Sequence, residues 1–462
     1  MHLILHKCAL WVLFESLSQE VMSKYNNTNK THLRSVVGLS CLATGLVSGL
    51  VNDIQAQSER DTSTTGEAVA EEILRSQTET KKGYFFNFDK WNLGVRPRLD
   101  VEYDSNIGRA PDGMEDDDII LRPEINFDFY RAITDFNSLD FTLGVGMDIY
   151  TKNTDVNTYS PIITPDSEIA YHMFIGDAHV KLREAFYYQE DLNSEFLMSG
   201  GEFADIRSVR FGRYNNRLGA EVDWDTGKFL FKSSFDWEWF HSNTSRYSYL
   251  DRNSGLFSQS ASYFLTSNMQ LGVELADPIH FYDEDRFNDQ FRLNAGPFWD
   301  MKVGERLNFR LGAGYSYATF WQDDGVEVTD DINDWYAYGS VGYTILPWLY
   351  NNFSIRRDNR ISWNSDNQEC ISLSDTIQLT YIRDFTIDLF CYINLYEETG
   401  IQYKDSDIAS MEYYAGGIKI AYTGLGQWEP SLRYTYRSFS RENASWDDYQ
   451  AHEVLLGIQY TF

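Results

Sequence analysis

The stretch FHSNTSR at 240–246 sets a histidine beside a serine, the residue types that make a general base and a nucleophile. Their spacing works against that chemistry. His241 and Ser242 are adjacent, so in an extended strand their side chains leave by opposite faces, out of hydrogen-bond reach. Carboxylates come in pairs at Asp283 with Asp285 and at Asp323 with Asp324. Oxygen donors of that kind suit Ca2+ or the cations that bridge lipopolysaccharide. Both pairs fall in polar stretches that read as loops, where solvated charge is the simpler account. No phosphate-binding loop or dinucleotide fingerprint stands between a strand and a helix. The cysteines, Cys8, Cys41, Cys370 and Cys391, form no CxxC and have no histidine at metal-ligand spacing. Cys391 falls on an apolar strand face and Cys370 in a loop, and a disulfide between them is open in an oxidising compartment. The expectation is a chain with no cofactor, no metal and no catalytic residues.

A different set of charged residues repeats with a period. Arg96, Arg98, Arg122, Arg310, Arg356, Arg433 and Arg437 fall on the polar faces of alternating segments. They share those faces with Asp100, Glu102, Glu124, Asp128, Asp148, Glu221, Asp223 and Asp236. A wall carrying both signs suits a water-filled passage. It equally suits a filled scaffold whose charges pair with one another. Tyr130, Tyr150, Tyr336, Tyr338 and Tyr392 lie on the same faces, where rings either guide sugars or pack across strands.

The elements that present these residues are long alternating strands. WNLGVRPRLDVEY sets Trp91, Leu93, Val95, Pro97, Leu99, Val101 and Tyr103 against Asn92, Gly94, Arg96, Arg98, Asp100 and Glu102. LRPEINFDFY, LDFTLGVGMDIY, LNFRLGAGYSYATFW and WEPSLRYTYR repeat the pattern. Aromatic residues make up 16% of the chain while proline numbers only 9, a balance that favours strands. The runs are about 10–14 residues, longer than the usual globular strand and long enough to cross a bilayer when tilted. Aromatics recur at the ends of the apolar faces, as in Trp91, Tyr103, Trp224, Trp239, Trp299, Trp335, Trp428 and Tyr436. Short connections (DTGK, VGER, LPW, TGLGQ) alternate with long ones (DSNIGRAPDGMEDDD, QDDGVEVTDDIND, RISWNSDNQECIS). The final AHEVLLGIQYTF is another alternating strand, with Leu456, Ile458, Tyr460 and Phe462 on its apolar face. It must close the sheet on the first strand, because hydrocarbon cannot satisfy an open edge.

The fold class expected is all-β: a transmembrane antiparallel up-and-down β-barrel over 84–462 with about 18 strands, 16 being the alternative. The undecided piece is SEIAYHMFIGDAHVKLREAFYYQED, one long strand or two hinged at Gly176 and Asp177; an even count favours two. Residues 1–56 read as a secretory signal peptide whose true start is Met22: a basic region with Lys24, Lys30 and Arg34, an apolar Val36–Val51, and Ala56 at a cleavage site. Residues 57–83 read as a flexible periplasmic linker.

VEYDSNI, IGDAHVKLREAFYYQED, LGAEVDWD, YSYLDRNSG and the terminal LLGIQYTF occur in an order that resembles a bacterial family of outer-membrane β-barrel porins. The resemblance covers nearly all of the chain beyond the leader. It implies an outer-membrane barrel, monomeric or oligomeric, and carries no catalytic residues and no defined substrate. A porin-like channel for passive diffusion of small hydrophilic solutes is the expected function, in the outer membrane of a Gram-negative-type bacterium. The alternative is a non-conducting structural or adhesion barrel with acidic surface loops. Expected partners are outer-membrane lipids and lipopolysaccharide, the barrel-assembly machinery reading Leu456, Ile458, Tyr460 and Phe462, small hydrophilic solutes, and a homo-oligomeric copy. The net charge of −30 argues against nucleic acid.

Overall fold

The computed structural model describes residues 84–88, 91–111, 113–154, 161–189, 212–245, 247–322, 328–361, 365–399, 409–441 and 448–461. The expected signal peptide and the whole of the expected linker, together with Phe462, lie outside the described residues. All strands belong to one antiparallel sheet, which closes as an 18-stranded barrel. Three strands are interrupted. The third runs Asn137–Gly146 then Ile149–Tyr150, the fourth Ile162–Ile163 then Glu168–Ile175, and the ninth Met269–Ala276 then Ile279–Tyr282. The stretch left undecided resolves into two strands. Glu168–Ile175 and Ala178–Gln189 pair around Gly176, whose φ of +60° suits glycine in a tight turn.

Closure joins the first barrel strand, Trp91–Asp104, to the last, Tyr449–Tyr460, from Arg98 opposite Gln459 to Asp104 opposite Glu453. Pairing with the last strand stops beside Pro97, which has no N–H to give. Below it the short strand Tyr84–Phe88 pairs with Trp91–Gly94. The second barrel strand occupies the other edge of Trp91–Asp104 throughout, so Tyr84–Phe88 covers the edge the final strand does not reach. Deleting residues 84–88 is expected to raise amide hydrogen exchange at Trp91–Gly94 while Leu99–Tyr103 stays protected; mass-spectrometric exchange on the detergent-solubilised barrel checks this.

The alternation sends the apolar set outward. Leu99, Leu182, Leu218, Phe235, Leu271, Val273, Leu432 and Leu456 are all exposed, flanked by exposed Trp91, Tyr103, Tyr214, Trp224, Trp239 and Trp428. A soluble sheet would bury such a face; a belt with aromatic ends is the form that meets hydrocarbon.

One sequence expectation is corrected. Cys370 lies inside the strand Asn367–Leu379, fully buried on the interior face beside Tyr396, and is not in a loop. This strand extends past the apolar belt, where both faces are polar and the alternation that marks a strand disappears. Cys391 faces outward opposite Asp375, so the two thiols lie on opposite sides of the wall and both are free.

Candidate functional site

Directly opposed residues share a face, so the register fixes what the interior carries. Arg98 opposes Glu124, Asp100 opposes Arg122, and Arg96 opposes Asn126, beside Asp128. Arg310 opposes Asp300, Arg356 opposes Tyr338, and Arg433 and Arg437 oppose Leu455 and Ala451. Asp148 sits in the break of the third strand, 3.1 Å from Arg122 Nε. All of the charged positions picked out for the lumen thus lie on the face opposite the apolar belt.

The charges pair along the wall. Halfway down the barrel, Arg96 forks onto Asp128 at 2.5 and 3.0 Å, and Arg98 meets Asp100 at 2.8 Å. Arg183 meets Asp236 at 2.7 Å and Glu221 at 3.0 Å. Arg356 meets Asp358 at 2.6 Å with its own side chain more than half exposed. The side chains of Arg96, Arg98 and Arg183 stay partly exposed on the interior face.

Toward the outer end the interior fills. Arg437 and Arg109 both bond Glu453, at 2.9 and 2.6 Å, and Arg109 continues to Asp104 at 2.8 Å. Arg109 comes from the loop after the first strand. Burial would lower its pKa, but the Asp104 and Glu453 carboxylates hold it well above the ordinary arginine value. Arg122 adds Glu102 to the chain, and Arg217 and Arg252 share Glu238.

A second outer tie spans more of the circumference. Arg292, on the strand Asp289–Val303, donates from Nη1 to Asn367 Oδ1 at 2.9 Å and from Nη2 to the Asp366 carbonyl at 2.8 Å. Asp366 and Asn367 precede and open a strand four places further round the barrel. The Asp366 carboxylate accepts from the Asn288 amide at 2.8 Å and the Thr329 hydroxyl at 2.5 Å. Arg292 opposes Ala318 and faces inward, so its bonds hold Asp366 and Asn367 against the interior face that also carries buried Ala318 and Phe320.

The interior tyrosines pack more than they present. Tyr130, Tyr150 and Tyr336 are buried. Tyr336 and Tyr338 stack 6.5 Å apart and donate to Glu274 at 3.1 and 2.7 Å, with Arg310 Nη2 on the same carboxylate at 3.3 Å. A Cβ at Gly312 would stand 2.4 Å from the Tyr338 ring, so glycine there lets the ring lie flat on the wall.

His241 and Ser242 are engaged separately: His241 Nδ1 meets Asp251 Oδ2 at 2.6 Å, while Ser242 Oγ donates to the Thr244 carbonyl at 2.9 Å. Asp323 and Asp324 lie outside the described residues. Asp283 accepts a bond from Asn253 at 3.4 Å. Among the described residues no group of three or more histidine, cysteine or acidic side chains is placed to hold a metal ion. Sequence reasoning missed Arg183, Glu238 and Arg292, which the strand alternation would have found. It also missed Arg109 and Asp366, for which a loop offers no period.

No family model matches the chain, and no curated protein matches it. Among solved structures it is similar to the outer membrane protein OpdK of Pseudomonas aeruginosa, at 10% identity and a TM-score of 0.48, covering 80% of this chain and 99% of that one. It is similar to a BenF-like porin of Pseudomonas fluorescens Pf-5, at 8% identity and 0.48, covering 81% and 100%. A third is OccK2 of Pseudomonas aeruginosa, solved with glucuronate, at 7% identity and 0.47, covering 82% and 100%.

Proposed function

We propose that this chain is a porin-like outer-membrane channel through which small hydrophilic solutes diffuse. The observation that carries the reading is the mid-barrel interior. Its arginines and carboxylates pair along the wall, and the arginines stay partly exposed on the interior face, inside a barrel whose outer face is an apolar belt. Charges so disposed need water, and hydrocarbon supports only a closed sheet. Purified protein in planar lipid bilayers is expected to give discrete conductance steps in KCl. A barrel that is folded, by its heat-modifiable mobility on gels, yet electrically silent would overturn the reading. The knit at the outer end favours a second reading, a barrel closed by its own loops that serves as a structural or adhesion element.

On this reading lipid and lipopolysaccharide surround the belt, the long loops face outside and the short turns face the periplasm. In a cysteine-free background, cysteine at Asp117 is expected to react with an impermeant maleimide in intact cells, and cysteine at Leu346 only after lysis. Equal labelling of the two sites would reject that topology.

The final strand supports a role in assembly. Leu456 and Ile458 face outward and exposed, and Tyr460 packs on Trp428 with ring centroids 4.6 Å apart. A receptor for unfolded barrels would find these residues with Phe462 as an alternating apolar edge. Losing one aromatic from the rim costs at most about 1.5–3 kcal/mol of burial, little for a barrel held by many strands. Phe462→Ala is therefore expected to slow insertion in pulse-chase experiments while the inserted fraction melts within a few degrees of wild type. Leu455→Ala, on the interior face, should assemble at closer to the normal rate.

A further inference from the structure

The lipid-facing belt carries a patch around Glu184 that does not suit lipid. Glu184 opposes Leu218 and Ile169, both exposed on the outer face, so Glu184 also points outward, and it is itself exposed. On the neighbouring strand, Arg213–Asp225, the belt runs from Tyr214 at the outer rim to Trp224 at the periplasmic rim. Leu218 lies between them, which sets Glu184 near mid-depth. Its described partner is Asn216, whose Nδ2 donates to Glu184 Oε1 at 3.1 Å. Two strands further on, Ser233 and Gln259 oppose each other on the outer face, and Gln259 is exposed. Ala220 lies among them, between Leu182 and Phe235. Polar and small side chains thus share the outer face of four adjacent strands, among exposed leucine and phenylalanine. Asp375 is the instructive contrast. It also faces outward, but Asn351 caps it at 2.5 Å and uses its other donor on the Thr376 carbonyl at 3.3 Å, and Asp375 is partly buried. Glu184 is exposed, with Asn216 bonding Oε1.

An ionisable side chain facing the hydrocarbon is retained where a protein neighbour covers it. Small residues let two walls approach, and polar ones bond across. The neighbour whose chemistry this patch itself supplies is a second copy. Two barrels inserted in the same direction relate by an axis along the membrane normal, which keeps each residue opposite its own depth. Glu184 offers acceptors, and Asn216 and Gln259 offer carboxamides that both donate and accept, so the patch is self-complementary under that axis. We propose that the outer face around Glu184, Asn216 and Gln259 is a two-fold contact between copies of this chain in the membrane.

The test uses the full-length protein in native outer membranes, in a background without Cys370 and Cys391. Leu218→Cys is expected to give a covalent dimer with a short bis-maleimide. Leu389→Cys, exposed on the opposite wall, is expected to stay monomeric. Adding Glu184→Leu to Leu218→Cys should abolish the cross-link and shift the purified particle from dimer to monomer mass in nanodiscs. Its heat-modifiability temperature should stay unchanged or rise, which marks a loss of contact and not of fold. The proposal is overturned if Leu218→Cys gives no dimer, if the two cysteines cross-link equally, or if Glu184→Leu leaves the dimer intact, the outcomes expected of a wall that meets only lipid. None of these readouts depends on conductance, so the contact and the channel stand or fall separately.

Discussion

Arg292→Ala is expected to widen the passage and raise the unitary conductance in planar bilayers, with the barrel still folded. Asp366 and Asn367 are held against the interior by two arginine donors, one to the Asp366 carbonyl and one to the Asn367 side chain. Hydrogen bonds from a charged donor contribute about 1.5–3 kcal/mol each. Losing both shifts the balance between the inward and withdrawn positions of the segment by about a hundredfold or more. The Asp366 carboxylate keeps its bonds from Asn288 and Thr329 in this variant. Asp366→Ala separates sterics from electrostatics. It frees the same segment from Asn288 and Thr329 while Arg292 keeps its charge on the wall. A larger conductance in both variants marks a mobile constriction; a rise in Arg292→Ala alone marks an effect of charge. Unchanged conductance in both would mean that the narrowest point lies elsewhere. Silent wild type with a conducting Arg292→Ala would favour the closed-barrel reading over the open channel.

The face on which each arginine lies was legible because alternation with a period of two is a local property of a strand. Arg96, Arg98, Arg310 and Arg437 needed no knowledge of their neighbours. What each one bonds was not legible, because that depends on register between strands and on loops that return from far along the chain. Arg109 reaches Glu453 across 344 positions, and Arg292 reaches Asn367 across 75. Cys370 was misplaced for a related reason: above the belt both faces of a strand are polar, and the signal fades before the strand does. Glu184 was hidden by the opposite problem. It lies in a stretch whose division into strands was undecided, and its face follows only once the turn at Gly176 is known.

Glu453→Gln is expected to lower the melting temperature of the barrel more than any change in the apolar belt. Glu453 stands on the last strand directly opposite Asp104 on the first, at the seam that closes the sheet. It holds Arg437 from the preceding strand and Arg109 from the first loop, and both glutamate and Arg437 are buried. Removing the charge takes the carboxylate from buried Arg437 and leaves Arg109 with Asp104 alone, and breaking a buried pair in this way costs about 3–5 kcal/mol. For a barrel of this size that corresponds to a fall of roughly 4–6 °C, read as the temperature at which the heat-modifiable band is lost on gels. Arg437→Met combined with Glu453→Leu should recover part of the loss, since apolar residues of similar volume replace a buried pair at little cost. The penalty of the single change should also hardly vary between low and high salt, because ions do not reach a buried cluster. A fall of only a degree or two, or one that disappears in high salt, would mean that the seam is wet and its charges are solvated. Closure would then rest on the strand ladder from Arg98 to Asp104 alone.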